Sequence, residues 1–97
     1  MDQNWIPVDF ETAEIKTSES GGNILAVRGR CQGTDVKLFP VDYLALPEYW
    51  RIDVLADSSG ENSLSNYEVS LKLDGICGSK GVEVFGRETS VKIDIDN

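Results

Sequence analysis

Asp94 and Asp96 are the nearest thing in this chain to a paired-carboxylate site. Two residues apart on a strand, they share a face, and paired carboxylates can bind a metal or transfer protons. Near the end of a strand such a pair reads instead as a solvated face, or as charge protecting a sheet edge. Asp57-Ser58-Ser59-Gly60-Glu61-Asn62 offers the oxygen ligands that calcium favours. The helix-loop-helix calcium motif needs glycine at the sixth position and glutamate at the twelfth. Asn62 and Glu68 stand there, and the flanks alternate like strands, so the segment reads as a polar loop. Gly75-Ile76-Cys77-Gly78-Ser79-Lys80-Gly81 sets a lysine among glycines. A phosphate loop would follow that lysine with Ser or Thr and then a helix. Here Gly81 and an apolar strand follow, which makes the segment a turn.

The chain contains no histidine. That removes Ser-His-Asp and Cys-His nucleophilic catalysis and the usual zinc and pH-switch chemistry. Cys31 and Cys77 alone are too few ligands for a structural zinc site. They would bridge only if their strands were neighbours, and otherwise read as two small buried thiols in a reducing compartment. No catalytic residue, metal site or cofactor is therefore expected, and the chain reads as a non-enzyme.

Side chains that could bind a partner are easier to find. Tyr43, Tyr49 and Trp50 form the densest aromatic group. Trp50 alternates in phase with Ile52, Val54 and Ala56, which points it to the core. Tyr49, Arg51, Asp53 and Leu55 then fall on the opposite face. A Tyr-Arg-Leu row has the composition of an interface hot spot. Tyr49, Arg51, Leu55, Tyr43 and Trp5 are the candidate partner-binding residues.

The elements that must position them are strands. Tyr67, Val69, Leu71 and Leu73 alternate with polar residues, as do Val91, Ile93 and Ile95. A period of two is a half-buried strand. Val82-Glu83-Val84-Phe85 is a shorter strand, and the Gly78–Gly81 turn predicts a hairpin joining it to the strand ending at Leu73. Ile6, Val8 and Phe10 alternate, then the phase slips to Ala13 and Ile15, which predicts a bulge near Glu11-Thr12. Ile24–Val27, Val36–Phe39 and Tyr49–Ala56 complete about seven strands. Pro40 and Pro47 bracket residues 41–46, where a short helical turn would fit. The expected core is Ile6, Val8, Phe10, Ile24, Ala26, Val36, Leu38, Trp50, Ile52, Val54, Tyr67, Val69, Leu71, Leu73, Val84, Val91, Ile93 and Ile95. The fold class is all-β, a single-domain antiparallel β-sandwich or small β-barrel over residues 1–97.

With 97 residues, 17 acidic against 9 basic and a net charge of -8, the chain lacks the basic footprint of a nucleic-acid or anionic-membrane binder. The acids are spread along the whole chain. No segment resembles a secretory signal or a membrane span. The expectation is a cytoplasmic protein-binding module, in its sharper form an acidic inhibitor or immunity-type protein acting on a basic partner. The alternatives are a carbohydrate- or small-ligand-binding sandwich using Trp5, Tyr43 and Tyr49 as a stacking platform, and a homo-oligomeric structural subunit assembling through its sheet edges.

Overall fold

Alternating apolar and polar side chains set eight strands in the computed structural model, which describes residues 5–32, 35–57 and 64–95. They are β1 (Trp5–Pro7), β2 (Thr12–Thr17), β3 (Asn23–Gln32), β4 (Val36–Pro40), β5 (Tyr49–Asp57), β6 (Leu64–Lys72), β7 (Gly81–Phe85) and β8 (Ser90–Asp94). β2, β3 and β6 form one antiparallel sheet with β3 in the centre. The other sheet is built around β5, which pairs with β4, β1 and β7, and β7 pairs in turn with β8. Of the polar loop expected over residues 57–62, Asp57 ends β5 and residues 58–62 lie outside the described residues, as does Asp96.

The two sheets share one core. Ile52, Val54, Ala56, Val82 and Val84 from the β5 sheet meet Leu25, Val27 and Cys31 from the β3 sheet. The architecture is all-β, as the alternation requires. One pairing departs from the antiparallel expectation: β5 and β7 run parallel, Tyr49 opposite Gly81 and Asp53 opposite Phe85. The chain leaves β5, crosses to the other sheet as β6 and returns as β7, so it re-enters beside β5 in the same direction. For the same reason the hairpin expected across Gly78–Gly81 is not formed. β6 pairs with β3, and residues 73–80 carry the chain from one sheet to the other.

The helical turn expected at 41–46 is also absent; these residues are irregular. Their ends are tied instead to β5, where Val41 N–H donates to Arg51 O at 3.0 Å. The phase slip near Glu11-Thr12 marks a change of sheet rather than a bulge. Val8 N–H still bonds Val54 O in the β5 sheet, while Glu11 N–H already bonds Arg28 O in the β3 sheet.

β3 turns the opposite face inward from the one its expected core residues Ile24 and Ala26 would require. Leu25 and Val27 are fully buried between the sheets, while Ile24 lies on the outer face and is only half-buried. The run Ile24–Val27 is apolar on both faces, so its sequence did not reveal which face turns inward. Ala26 is buried, but on that same outer face. Ile6 and Val91 lie at strands with few neighbours and remain exposed, at 43% and 36%.

Two anchors hold the crossing between the sheets. Asp9 Oδ1 accepts hydrogen bonds from the Glu88 and Thr89 amides at 2.7 and 3.0 Å, capping the β7–β8 turn. Asp9 O accepts from the Tyr67 hydroxyl at 2.9 Å. Tyr67 lies over Gly29, where an added Cβ would sit 2.7 Å from the Tyr67 oxygen and 3.0 Å from Phe10 Cα. Burial pushes the Tyr67 phenol up to about 12. The Glu88 amide, with Thr89 assisting and burial opposing, holds the Asp9 carboxyl below its usual range.

Leu25→Ala lowers unfolding free energy by about 2–5 kcal/mol, and Ile24→Ala by clearly less, in urea titrations. Equal losses would put the wrong face of β3 inward. Because the Asp9 pKa falls on folding, its contribution is present above about pH 4 and fades as pH drops through the folded value. Asp9→Ala costs about 1 kcal/mol at neutral pH. It also flattens the acid limb of the stability-against-pH curve, which thermal melts from pH 7 to 2 would show.

Candidate protein-docking surface

β5 alternates Ile52, Val54 and Ala56 inward and Tyr49, Arg51, Asp53 and Leu55 outward. The register brings the expected row together on one face and adds neighbours on both sides. Phe39 stands opposite Asp53, Lys37 opposite Leu55, Trp5 opposite Asp57 and Phe85 opposite Asp53. Beyond β7, Lys92 and Asp94 of β8 extend the same face.

The polar groups on this face are engaged with one another. The Arg51 guanidinium lies 4.1 Å from the centre of the Phe85 ring, and its Nε donates to Asp53 Oδ1 at 2.9 Å. Lys92 Nζ sits 5.2 Å from the centre of the Tyr49 ring, and the Tyr49 hydroxyl donates to Asp94 Oδ1 at 2.5 Å. Trp5 packs edge-on against Phe39 at 5.4 Å with Lys37 Nζ 5.4 Å from its ring centre. Leu55 lies, by register, in the strand between Trp5 and Phe39. The face is thus a set of cation–ring and ring–ring pairs whose geometry is fixed within the chain. The hydrogen bond to Asp94 is the main reason the Tyr49 phenol titrates above its ordinary value, with burial and the Asp94, Glu48 and Glu83 charges adding to it.

Tyr43 is not on that face. It belongs to the loop between β4 and β5, where its ring meets Trp50 edge-on at 5.2 Å and its hydroxyl accepts from the Arg51 amide at 3.2 Å. Trp50 is half-buried against the core, and its Nε1 is buried without a hydrogen-bond partner among the described residues.

The same loop carries the most exposed apolar side chains among the described residues. Leu44 is as exposed as a leucine can be, at 110%, and Leu46 is 67% exposed. The tip is nevertheless held at both ends. Val41 and Tyr43 bond to Arg51 on the incoming side. On the outgoing side Ser79 N–H donates to Pro47 O, and Lys80 and Gly81 N–H donate to Glu48 O. That clamp needs Gly78, whose Cβ would lie 2.3 Å from Glu48 O. The glycine-bracketed segment that the sequence marks as a turn is therefore the base of this loop.

Sequence reasoning put Tyr49, Arg51 and Leu55 on one face and named Trp5 separately; the register adds Trp5 to that face. It missed Phe39, Phe85, Lys37, Lys92 and the Leu44–Leu46 tip. Phe39 could have been found, since it alternates out of phase with Val36 and Leu38. The exposure of Leu44 and Leu46 has no local signal, because prolines bracket equally well a buried crossover.

Elsewhere the surface offers less. A groove of about 510 Å³ beside β2, β3 and β6 is lined by Glu11, Arg28 and Glu68 among others. Among the described residues no three His, Cys, Asp or Glu side chains gather as metal ligands. Both cysteines are free, and burial raises each thiol pKa, which reduces thiolate chemistry. No helix among the described residues is long and apolar enough to cross a membrane. Comparison with protein-family models, curated proteins and solved structures finds no match.

Asp94→Ala lowers the Tyr49 phenol pKa toward that of a free tyrosine, because the acceptor that favours the protonated form is gone. A ¹³C-tyrosine NMR titration reads this directly. An unchanged Tyr49 curve would mean that the bond does not persist in solution.

Proposed function

We propose that this protein is a non-enzymatic protein-binding module that docks through the Leu44–Leu46 tip. The observation that carries the reading is the pairing of an apolar tip fully open to water with a base clamped on both sides. Covering the two leucines with a partner removes apolar surface from water, and a clamped loop loses little entropy when it is covered. Tyr43 adds an aromatic shoulder, exposed at 37%, beside the tip.

The net charge of -8 gives the partner its character. Asp42 and Glu48 flank the tip in sequence, so an apolar pocket ringed by lysine or arginine fits it best. Such a partner is drawn in by long-range attraction and held by apolar contact. An acidic inhibitor or immunity-type protein acting on a basic enzyme is the sharper form of this proposal, with the cytoplasm as its setting. A glycan platform is less well supported, since the rings of Trp5, Tyr43 and Tyr49 each already carry a cation or another ring.

The test is capture at low salt with the wild-type chain and with Leu44→Ser/Leu46→Ser side by side. A basic protein held by the wild type and released by salt, but bound about 30-fold or more weakly by the double variant, is the expected result. A partner that binds both chains equally would remove the tip from the interface.

A further inference from the structure

β8 forms the outer strand of its sheet, with β7 as its paired neighbour. Ile95 N–H donates to Lys80 O at 2.8 Å, which continues the β7–β8 ladder one step beyond Asp94. In an antiparallel ladder the backbone groups of alternate residues point to the same side. Val91, Ile93 and Ile95 therefore turn their N–H and C=O groups to β7, and Ser90, Lys92 and Asp94 turn theirs away from it. No proline interrupts Ser90–Ile95; β2 approaches β8 from the facing sheet, but no strand among the described elements hydrogen-bonds to that side. Val91 stands opposite the fully buried Val84 yet is 36% exposed, so the apolar row of β8 is only partly covered.

We propose that this edge pairs with the same edge of a second copy of the chain, antiparallel about a two-fold axis at Ile93. Charge complementarity selects both the partner and the register. An axis at Lys92 would set lysine against lysine, and one at Asp94 would set aspartate against aspartate; like charges directly opposite destabilise a sheet. An axis at Ile93 sets Lys92 opposite Asp94 of the second copy, and Asp94 opposite Lys92 of the second copy. Those residues are also the ones whose free backbone groups can complete the hydrogen-bonded pairs. On the inner face Val91 then meets Ile95 of the second copy and Ile93 meets its own counterpart, so the apolar row runs on across the axis. On the outer face Glu83, Lys92 and Asp94 of the second copy form a row of alternating sign. Two copies of net charge -8 repel at long range, and one strand pair is a small interface. The association is accordingly weak and shows at high protein concentration. It uses none of the residues at the Leu44–Leu46 tip, so its failure leaves the docking proposal untouched.

Sedimentation equilibrium up to about 1 mM protein tests this, in the range where small interfaces associate. The wild type forms a reversible dimer. Lys92→Asp and Asp94→Lys each weaken it about tenfold or more, and the double swap Lys92→Asp/Asp94→Lys restores it. Because the variants also lose the Tyr49 contacts, amide exchange on the wild type gives a second reading. The Lys92 and Asp94 amides gain protection as concentration rises, while Val91 and Ile93, already facing β7, do not. A monomer throughout the range overturns the proposal. So does a dimer whose Lys92 and Asp94 amides exchange as fast as in the monomer.

Discussion

Asp9 holds the place where the chain passes from one sheet to the other, and both sheets depend on that passage. Its carboxylate caps the β7–β8 turn of one sheet, and its carbonyl takes the hydroxyl of Tyr67 from the other. Each bond by itself is worth about 1 kcal/mol net. Their value lies in position, because they converge on a segment that has left one ladder and not yet joined the next. The glycine at position 29 belongs to the same arrangement. A side chain there would push the Tyr67 ring off the crossing, so the absence of a Cβ on β3 is what lets a ring on β6 reach a carbonyl outside its own sheet.

A second constraint acts at the far end of β5. The return of the chain from β6 to β7 runs against the residues just before β5, where Ser79, Lys80 and Gly81 N–H donate to the Pro47 and Glu48 carbonyls. This strap makes the parallel β5–β7 pair and steadies the loop before β5. One backbone device thus fixes an unusual strand pairing and presents two leucines to water. The contrast with the neighbouring outer face is physical. There, the exposed rings and charges satisfy one another across five strands, while Leu44 and Leu46 stand open to water.

The two surfaces argued for binding therefore differ in kind. The tip is apolar, prominent and held from below, which suits a pocket on another protein. The edge of β8 is flat and patterned in charge, with backbone groups pointing outward, which suits a strand of the same sequence. Acidity acts on both in opposite senses. It favours approach to a basic protein and weakens approach to a second copy, and in each case added salt would alter the balance.

Alternation at period two determined the fold class, most strand positions and the outward row of Tyr49, Arg51 and Leu55. These follow from local geometry, since successive side chains on a strand must point to opposite faces. The sequence could not decide which face of Ile24–Val27 turns inward, because both faces are apolar. It could not separate a bulge from a change of sheet at Glu11-Thr12, because either one shifts the phase by a residue. Nor could it tell a hairpin from a crossover at Gly78–Gly81, since glycines serve both. Only the tertiary structure placed the glycine turn against residues 47–48, left Leu44 and Leu46 uncovered, and left one side of β8 unpaired among the described strands. Those outcomes rest on which distant segments meet, and no local pattern in the chain carries that information.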